Sequence, residues 1–277
     1  FFKHYKNFVE CGVFLFHKFA VYSSMMKPII YLLFLISFAF SSDLDNGIAI
    51  YNARAKGAVG TEAKSQNIDQ AIRHFERIMK IDAQEEEAAV YLLKCYYYKG
   101  TYVLTDEEDR KAEYNKGKAL AEKMVAKYPN SAALRYWYLT CLGKWSEVYG
   151  ILTAAKEGVA DLMKEHSEKI IELDSNYENG GGYFMLGAVH YKSPYIPFIL
   201  SWPDNDDAIV WLEKAVNTGR ETPIQKNYLA RALYKDGRED EAMKLVQSVI
   251  ATPPGSESLV EERFEIEEAR LLLEDFE

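Results

Sequence analysis

The stretch NDDAIVWLEKAVN, residues 205–217, decides the fold, because REDEAMKLVQSVI at 238–250 repeats its frame. Ala208, Leu212, Ala215 and Arg220 stand against Ala242, Val246, Val249 and Pro254, each pair 34 residues apart, which is the tetratricopeptide period. The same offsets recur at Ala71, Phe75, Ile78 and Ala83, at Gly117, Ala121, Met124 and Pro129, and more weakly at Met163, Ser167, Ile170 and Ser175. A first-helix column falls 14 residues after each third member, at Leu92, Tyr138, Phe184 and Leu229. Small residues let the two helices of a hairpin approach, and the larger ones fill the groove between hairpins. The frame predicts an all-α, tetratricopeptide-like helical-hairpin solenoid of about five hairpins. In the last stretch Leu259, Ile266, Ala269, Leu273 and Phe276 share one helical face, as a C-terminal capping helix over the last hairpin requires.

Spacing within the hairpins is uneven. Leu229 to Ala242 is 13 residues, but Leu92 to Gly117 and Tyr138 to Met163 are 25, and Phe184 to Ala208 is 24. The insert of the second hairpin reads as an acidic turn with a longer helix behind it. The third, WSEVYGILTAAKEGV, contains no Pro and is expected to lengthen both helices. The fourth holds Pro194, Pro197 and Pro203, each of which removes a backbone donor, so the surplus must be a loop. That loop is apolar. Its Tyr195, Phe198 and Trp202 either line a cavity on the concave side or seal the ends of neighbouring hairpins; free exposure would make a sticky patch.

Outside the array, residues 26–41 run from Met26 through an apolar stretch to Ala39 and Ser41, the pattern of a signal peptide cleaved near Ser41. Residues 1–25 read as upstream translation, leaving 42–277 as the helical domain. The formal net charge is −9, and the four Lys and one Glu of residues 1–41 supply +3, so the remainder carries −9 − 3 = −12. Such a balance disfavours nucleic acid and anionic lipid as partners. Cys95 and Cys141 sit inside helical patterns, where a Cys is usually a small buried hydrophobe, though a disulfide between them is compatible with export.

YPNSAALRYWYLTCLGKW (128–145), LDSNYENGGGYFMLGAVHYKSPYIPF (173–198) and the repeat at 205–217 together resemble the T component of TRAP transporters, over roughly residues 47–255. The Gly-Gly pair before the fourth hairpin and the spacing of Tyr191 and Pro194 carry the likeness. It implies a periplasmic accessory that docks a solute-binding protein and holds or passes a hydrophobic small molecule through a cavity or pore. Members are often lipoproteins, and no lipid-attachment Cys stands here. An envelope scaffold with no small-molecule ligand is the alternative, and self-association suits either. A weaker likeness runs to the eukaryotic regulators of microtubule dynamics, which share the helical pattern; the bacterial-looking signal argues against it.

Binding candidates are the aromatic residues of the first helices and the loop: Trp137, Tyr138, Trp145, Tyr183, Tyr191, Tyr195, Phe198 and Trp202, with His190 beside them. Each has packing as its plainer reading. Gly181 and Gly182 suit close backbone approach to a helix or ligand. No enzyme is expected, and no cofactor or metal: the His residues are scattered, with no HExxH, nucleophile elbow or phosphate-binding loop. Acidic runs such as Glu261, Glu262, Glu267 and Glu268 read as solvated faces.

Overall fold

In the computed structural model, which describes residues 43–80, 84–196, 198 and 200–276, the repeat frame becomes a succession of helix pairs. The chain divides into Phe1–Asn46, of which residues 43–46 are described and helical, and Gly47–Glu277, which carries the array. Within the array, α1 (47–52) precedes α2 (Ser65–Ile78), and α3 (Glu85–Tyr102) pairs with α4 (Glu107–Lys127). Next come α5 (Ala132–Tyr149), the short α6 (Ile151–Lys156) and α7 (Val159–Asp174). The last pairs are α8 (Gly181–Lys192) with α9 (Asn205–Val216) and α10 (Pro223–Lys235) with α11 (Glu239–Ala251), closed by α12 (Leu259–Phe276). Two isolated bridges are the only β pairing among the described residues.

Helices α4, α5, α9 and α10 begin where side chains satisfy their free N–H groups. Asp106 accepts from the amides of Glu108 and Asp109, Ser131 from Leu134, and Asp204 from Asp206 and Asp207. At α10, Thr222 and Gln225 form a capping box with Pro223 in the first turn. Between the caps the columns hold the core. Ala71, Phe75, Ile78, Ala121, Met124, Ile170, Ala208, Leu212, Ala215, Ala242 and Val246 are wholly buried, and Leu92, Tyr138, Phe184 and Leu229 nearly so. The fourth column is different. Ala83 lies outside the described residues, Pro129 and Arg220 are exposed, and Ser175 and Pro254 are half-buried, because these positions follow the helix ends.

The inserts resolve in three ways. In the second hairpin the acidic turn leads into the 21-residue α4. In the third, the two flanking helices do not simply lengthen: the backbone turns at Gly150 (φ +82°), makes the six residues of α6, and turns again at Gly158 (φ +65°). Both angles lie in the left-handed region that glycine enters without steric cost. In the fourth, prolines and loop coincide, and reciprocal backbone hydrogen bonds of 2.8 Å between Ile196 and Leu200 pinch residues 196–200.

α12 buries Val260, Ile266, Ala269 and Leu272, while Leu259, Leu273 and Phe276 are half-buried at its edges. It packs on α10 and α11 as a cap should, but it also reaches the first hairpin. Arg54, 6 % exposed, donates from Nε and Nη2 to Glu261 Oε1 at 2.9 and 2.7 Å, and from Nη2 to the Glu257 carbonyl at 2.6 Å. Phe264 meets Tyr102 edge-on at 5.8 Å. The same helix thus latches both ends of the array. The acids read as a solvated face are engaged: Glu261 with Arg54, Glu262 with the Gly255 amide, Glu267 with Arg270 and Glu268 with Arg231. Cys95 and Cys141 are free and buried, with no disulfide between them, and Cys141 Sγ points at the Leu93 carbonyl at 3.7 Å.

Candidate binding cavities of the array

The turn into α8 is built from three successive left-handed residues, Glu178 (φ 45°), Asn179 (φ 58°) and Gly180 (φ 80°). Two of them are residue types that tolerate this region; Glu178 is not, and the turn is held by cross-links. The Asn179 carbonyl accepts from Thr218 Oγ1 at 3.0 Å and from Gln225 Nε2 at 2.8 Å, tying the turn to the end of α9 and the start of α10. A Cβ at Gly181 would stand 2.4 Å from the Tyr136 ring, and one at Gly182 would stand 2.8 Å from Ile171. The glycine pair therefore lets α8 start hard against α5 and α7, and the approach is to helices.

This turn borders a cleft of about 380 Å³ walled by Tyr51, Tyr91, Tyr97, Tyr102, Tyr136 and Trp137. Its charges are Arg54 and Lys94 against Glu178, Glu257, Glu261, Glu262 and Glu265. Lys94 Nζ lies 5.0 Å from the ring centroids of both Tyr91 and Trp137 and 3.4 Å from Glu178, a cation–π arrangement closed by a carboxylate. Arg54 sits 4.4 Å over Tyr51. Trp137 donates its indole N–H to the Tyr177 hydroxyl at 3.2 Å. Burial pushes the Glu265 carboxyl above its ordinary range, against the opposing pull of the Asn227 amide.

A second cavity, of about 350 Å³, adjoins the first through Tyr97, Thr140, Phe184, Met185 and Ile224. Its walls are apolar: Leu139, Ala154, Val159, Met163, Ala188 and Leu200, with Lys144, Glu147 and Lys192 also on the lining. The small residues of α6 help make the space.

Among the nine aromatic and His candidates, Trp137 borders the cleft. Tyr138 and Trp145 are core. Tyr138 meets His166 edge-on and its phenol is pushed up to about 12, chiefly by burial, while Trp145 stacks on Tyr149 and donates to Asn115 at 2.8 Å. Tyr183 stacks on Trp211, and Tyr191 packs against Tyr228. His190 is buried, accepts the Asp204 amide at 3.3 Å, and has its pKa lowered by that burial. Trp202 anchors the loop, donating to Asp161 at 2.7 Å beneath Lys164 and against the His190 ring. Tyr195 and Phe198 line neither cavity and face solvent, 64 % and 103 % exposed. The sticky patch that sequence reasoning set aside is present. It also missed Tyr97, Phe184 and Met185, whose helical spacing is that of ordinary core.

Against known proteins, the profile of the family described as Regulator of microtubule dynamics protein 1-3 matches residues 56–199. Regulator of microtubule dynamics protein 3 of Rattus norvegicus is 32 % identical over 131 residues, 47 % of this chain and 26 % of that protein. Its Mus musculus counterpart is 31 % identical over 131 residues, with the same shares. The chain therefore spans about a quarter of the length of these relatives. A thermophilic TPR protein of Thermus thermophilus shares the fold, with a TM-score of 0.55 and 15 % identity, covering 86 % of this chain and 98 % of that one.

These similarities overturn the resemblance to the TRAP T component, and with it the solute-binding-protein partner, the transport role and the periplasmic location. The helical columns are packing positions common to such arrays and separate no family from another. The Gly-Gly pair that carried the likeness falls inside the matched region 56–199 and serves helix approach. The relatives are mammalian, and mammals have no periplasm. The likeness ranked second is the one that holds. The upstream and signal-peptide readings of residues 1–41 lie outside the described residues.

Proposed function

Since the chain belongs to the family of Regulator of microtubule dynamics proteins 1-3, we propose that it is the binding module of such a regulator and acts by recognition, without catalysis. The observation that carries this reading is the match over residues 56–199, which contains most of the aromatic wall of the cleft, Tyr91, Tyr97, Tyr102, Tyr136 and Trp137. The cleft offers ring faces and more carboxylates than cations. It suits a partner segment that carries basic and aromatic side chains, which gain cation–π and ion-pair contacts together. A chain with a formal net charge of −9 gains nothing from a polyanionic surface, so action through a protein partner segment is favoured. A binding role is also supported by the state of the usual reactive groups. Burial raises the Cys95 and Cys141 thiols, and His166 is enclosed beside Arg135.

The test uses the full chain in microtubule growth assays, with purified tubulin and with a cell extract that supplies partners. The expected result is altered growth or shrinkage frequency in extract, lost on Trp137→Ala and Glu178→Lys with unchanged circular dichroism, and little co-sedimentation with pure microtubules. Strong, salt-sensitive co-sedimentation with the pure polymer would refute the partner route. No effect in extract would refute the functional reading itself.

A further inference from the structure

Two cavities of opposite character lie side by side in the array. The cleft and the apolar cavity both open to the surface and share Tyr97, Thr140, Phe184, Met185 and Ile224 as a common wall. The cleft is short of cations. Of its five carboxylates, Glu261 is taken by Arg54 and Glu178 by Lys94, while Glu257, Glu262 and Glu265 form no ion pair among the described residues. Glu262 accepts the Gly255 amide, Glu265 accepts the Asn227 side-chain amide, and Glu257 is exposed. Arg231, beside Glu265, is bonded to Glu268 instead. Both bonds of the Arg54 fork fall on Glu261 Oε1, so the buried Oε2 has no donor. Acceptors are thus in surplus beside tyrosine and tryptophan rings, a setting for a cation rich in N–H groups. Arg54 shows the fit within the chain itself: its guanidinium forks onto Glu261 and stands 4.4 Å over the Tyr51 ring. The neighbouring cavity has no such surplus. Its Lys144 pairs with Glu147 at 2.8 Å and its Lys192 lies 5.8 Å from the Tyr228 ring, among walls that are otherwise chiefly apolar.

We propose that the two cavities form one bipartite site for a partner segment that carries an arginine and, a few residues away, a bulky apolar side chain. The guanidinium enters the cleft, where ring faces and the unpaired carboxylates receive it. The apolar side chain lies on the far side of the shared wall, among Leu139, Val159, Met163 and Ala188. At about 380 and 350 Å³ the spaces stand at the lower end of the roughly 300–1,000 Å³ of ligand pockets, so each has room for a large side chain. Arginine suits the cleft better than lysine, because its planar fork bonds carboxylates while its face stacks on rings. An anionic group is turned away by Glu257, Glu262 and Glu265, and a purely apolar one gains nothing from the carboxylates. The inference rests on the recognition reading above and narrows its partner to a two-point motif, in which charge selects one side chain and the apolar cavity the other.

The test uses the full chain with methyl-labelled methionine. Met163 and Met185 line the apolar cavity, and Met124, wholly buried elsewhere, serves as the reference. The probes are acetylated, amidated peptides in which arginine and phenylalanine are separated by one, two or three glycines. At the best spacing the peptide should shift the Met163 and Met185 methyl signals and leave Met124 in place. Replacing the peptide's arginine by citrulline, a neutral isostere, should weaken binding about tenfold or more, and so should replacing its phenylalanine by alanine. Glu265→Gln should shrink the difference between the arginine and citrulline peptides, and Ala154→Phe, which fills the apolar cavity, the difference between phenylalanine and alanine. The citrulline comparison needs no variant of the chain, so it decides the matter even where a substitution disturbs folding. Equal affinity of arginine and citrulline peptides, or of an aspartate peptide, overturns the proposal, as does an unshifted Met163 at every spacing. An intact effect in extract beside failed peptide binding removes this inference alone; normal peptide binding with no effect in extract removes the regulator reading and leaves the site standing.

Discussion

Ala208 and Ala242 show what a single methyl group does here. Each is wholly buried at the contact between the two helices of its hairpin, so Ala208→Leu or Ala242→Leu should cost about 1–3 kcal/mol through overpacking. Arg220→Ala, at an exposed position after α9, should stay within about 0.5 kcal/mol. Denaturant midpoints compare them directly, and equal midpoints would mean that the repeat frame is misaligned. These positions were legible because burial repeats with the period of the array. Phe198 was not, since an apolar residue in sequence carries no mark of facing solvent. His166 and His190 give the residue scale its pH dependence. Burial lowers both pKa values in the folded state, while the unfolded chain takes up protons near the usual value of about 6.5. The unfolded state then binds more protons, so stability is fully present above about pH 6.5 and falls as pH drops through the folded-state values. Urea midpoints at neutral and mildly acidic pH should show the loss, and His190→Gln should reduce it.

At the scale of elements, α6 and α12 separate what periodicity reveals from what it hides. The third insert looked helical throughout because it lacks proline, and it is indeed mostly helix. Two glycines in left-handed conformations still cut it into a separate segment, and spacing alone does not report a φ angle. For α12, the apolar stripe announced a cap, yet the polar face held the more consequential contact. Arg54 and Glu261 are 207 residues apart, and nothing local in the sequence distinguishes Glu261 from the acids beside it. The pair is nearly shut off from water on the Arg54 side, 7 % exposed against 20 % for Glu261. Removing one partner leaves the other charge enclosed, so Glu261→Met should cost about 3 kcal/mol, whereas Arg54→Met with Glu261→Met should cost clearly less than either alone. Chemical denaturation of the three variants checks the non-additivity; a double variant as unstable as the sum would show two unrelated sites.

Across Gly47–Glu277 the latch changes how the array responds as a whole. In an open stack each hairpin feels only its neighbours, so damage to the cap stays at the last hairpin. Here hydrogen exchange in Glu261→Met should quicken in α2 and α3 as well as in α10 and α11, because α12 touches both ends. Acceleration confined to α10–α12 would show that the contact at Arg54 carries no weight. Both cavities lie along this closed path, and the cleft draws its wall from both ends, Tyr51 and Arg54 from one and Glu257 and Glu261 from the other. The latch also bears on ancestry. Repeat arrays ordinarily gain and lose whole units, since an added hairpin only lengthens the stack. An extra 34-residue unit here would carry Glu261 away from Arg54 by roughly a helix diameter or more, on the order of 10 Å, and leave both charges stranded. Repeat number is therefore coupled to one ion pair: a unit added or removed between Arg54 and Glu261 breaks it.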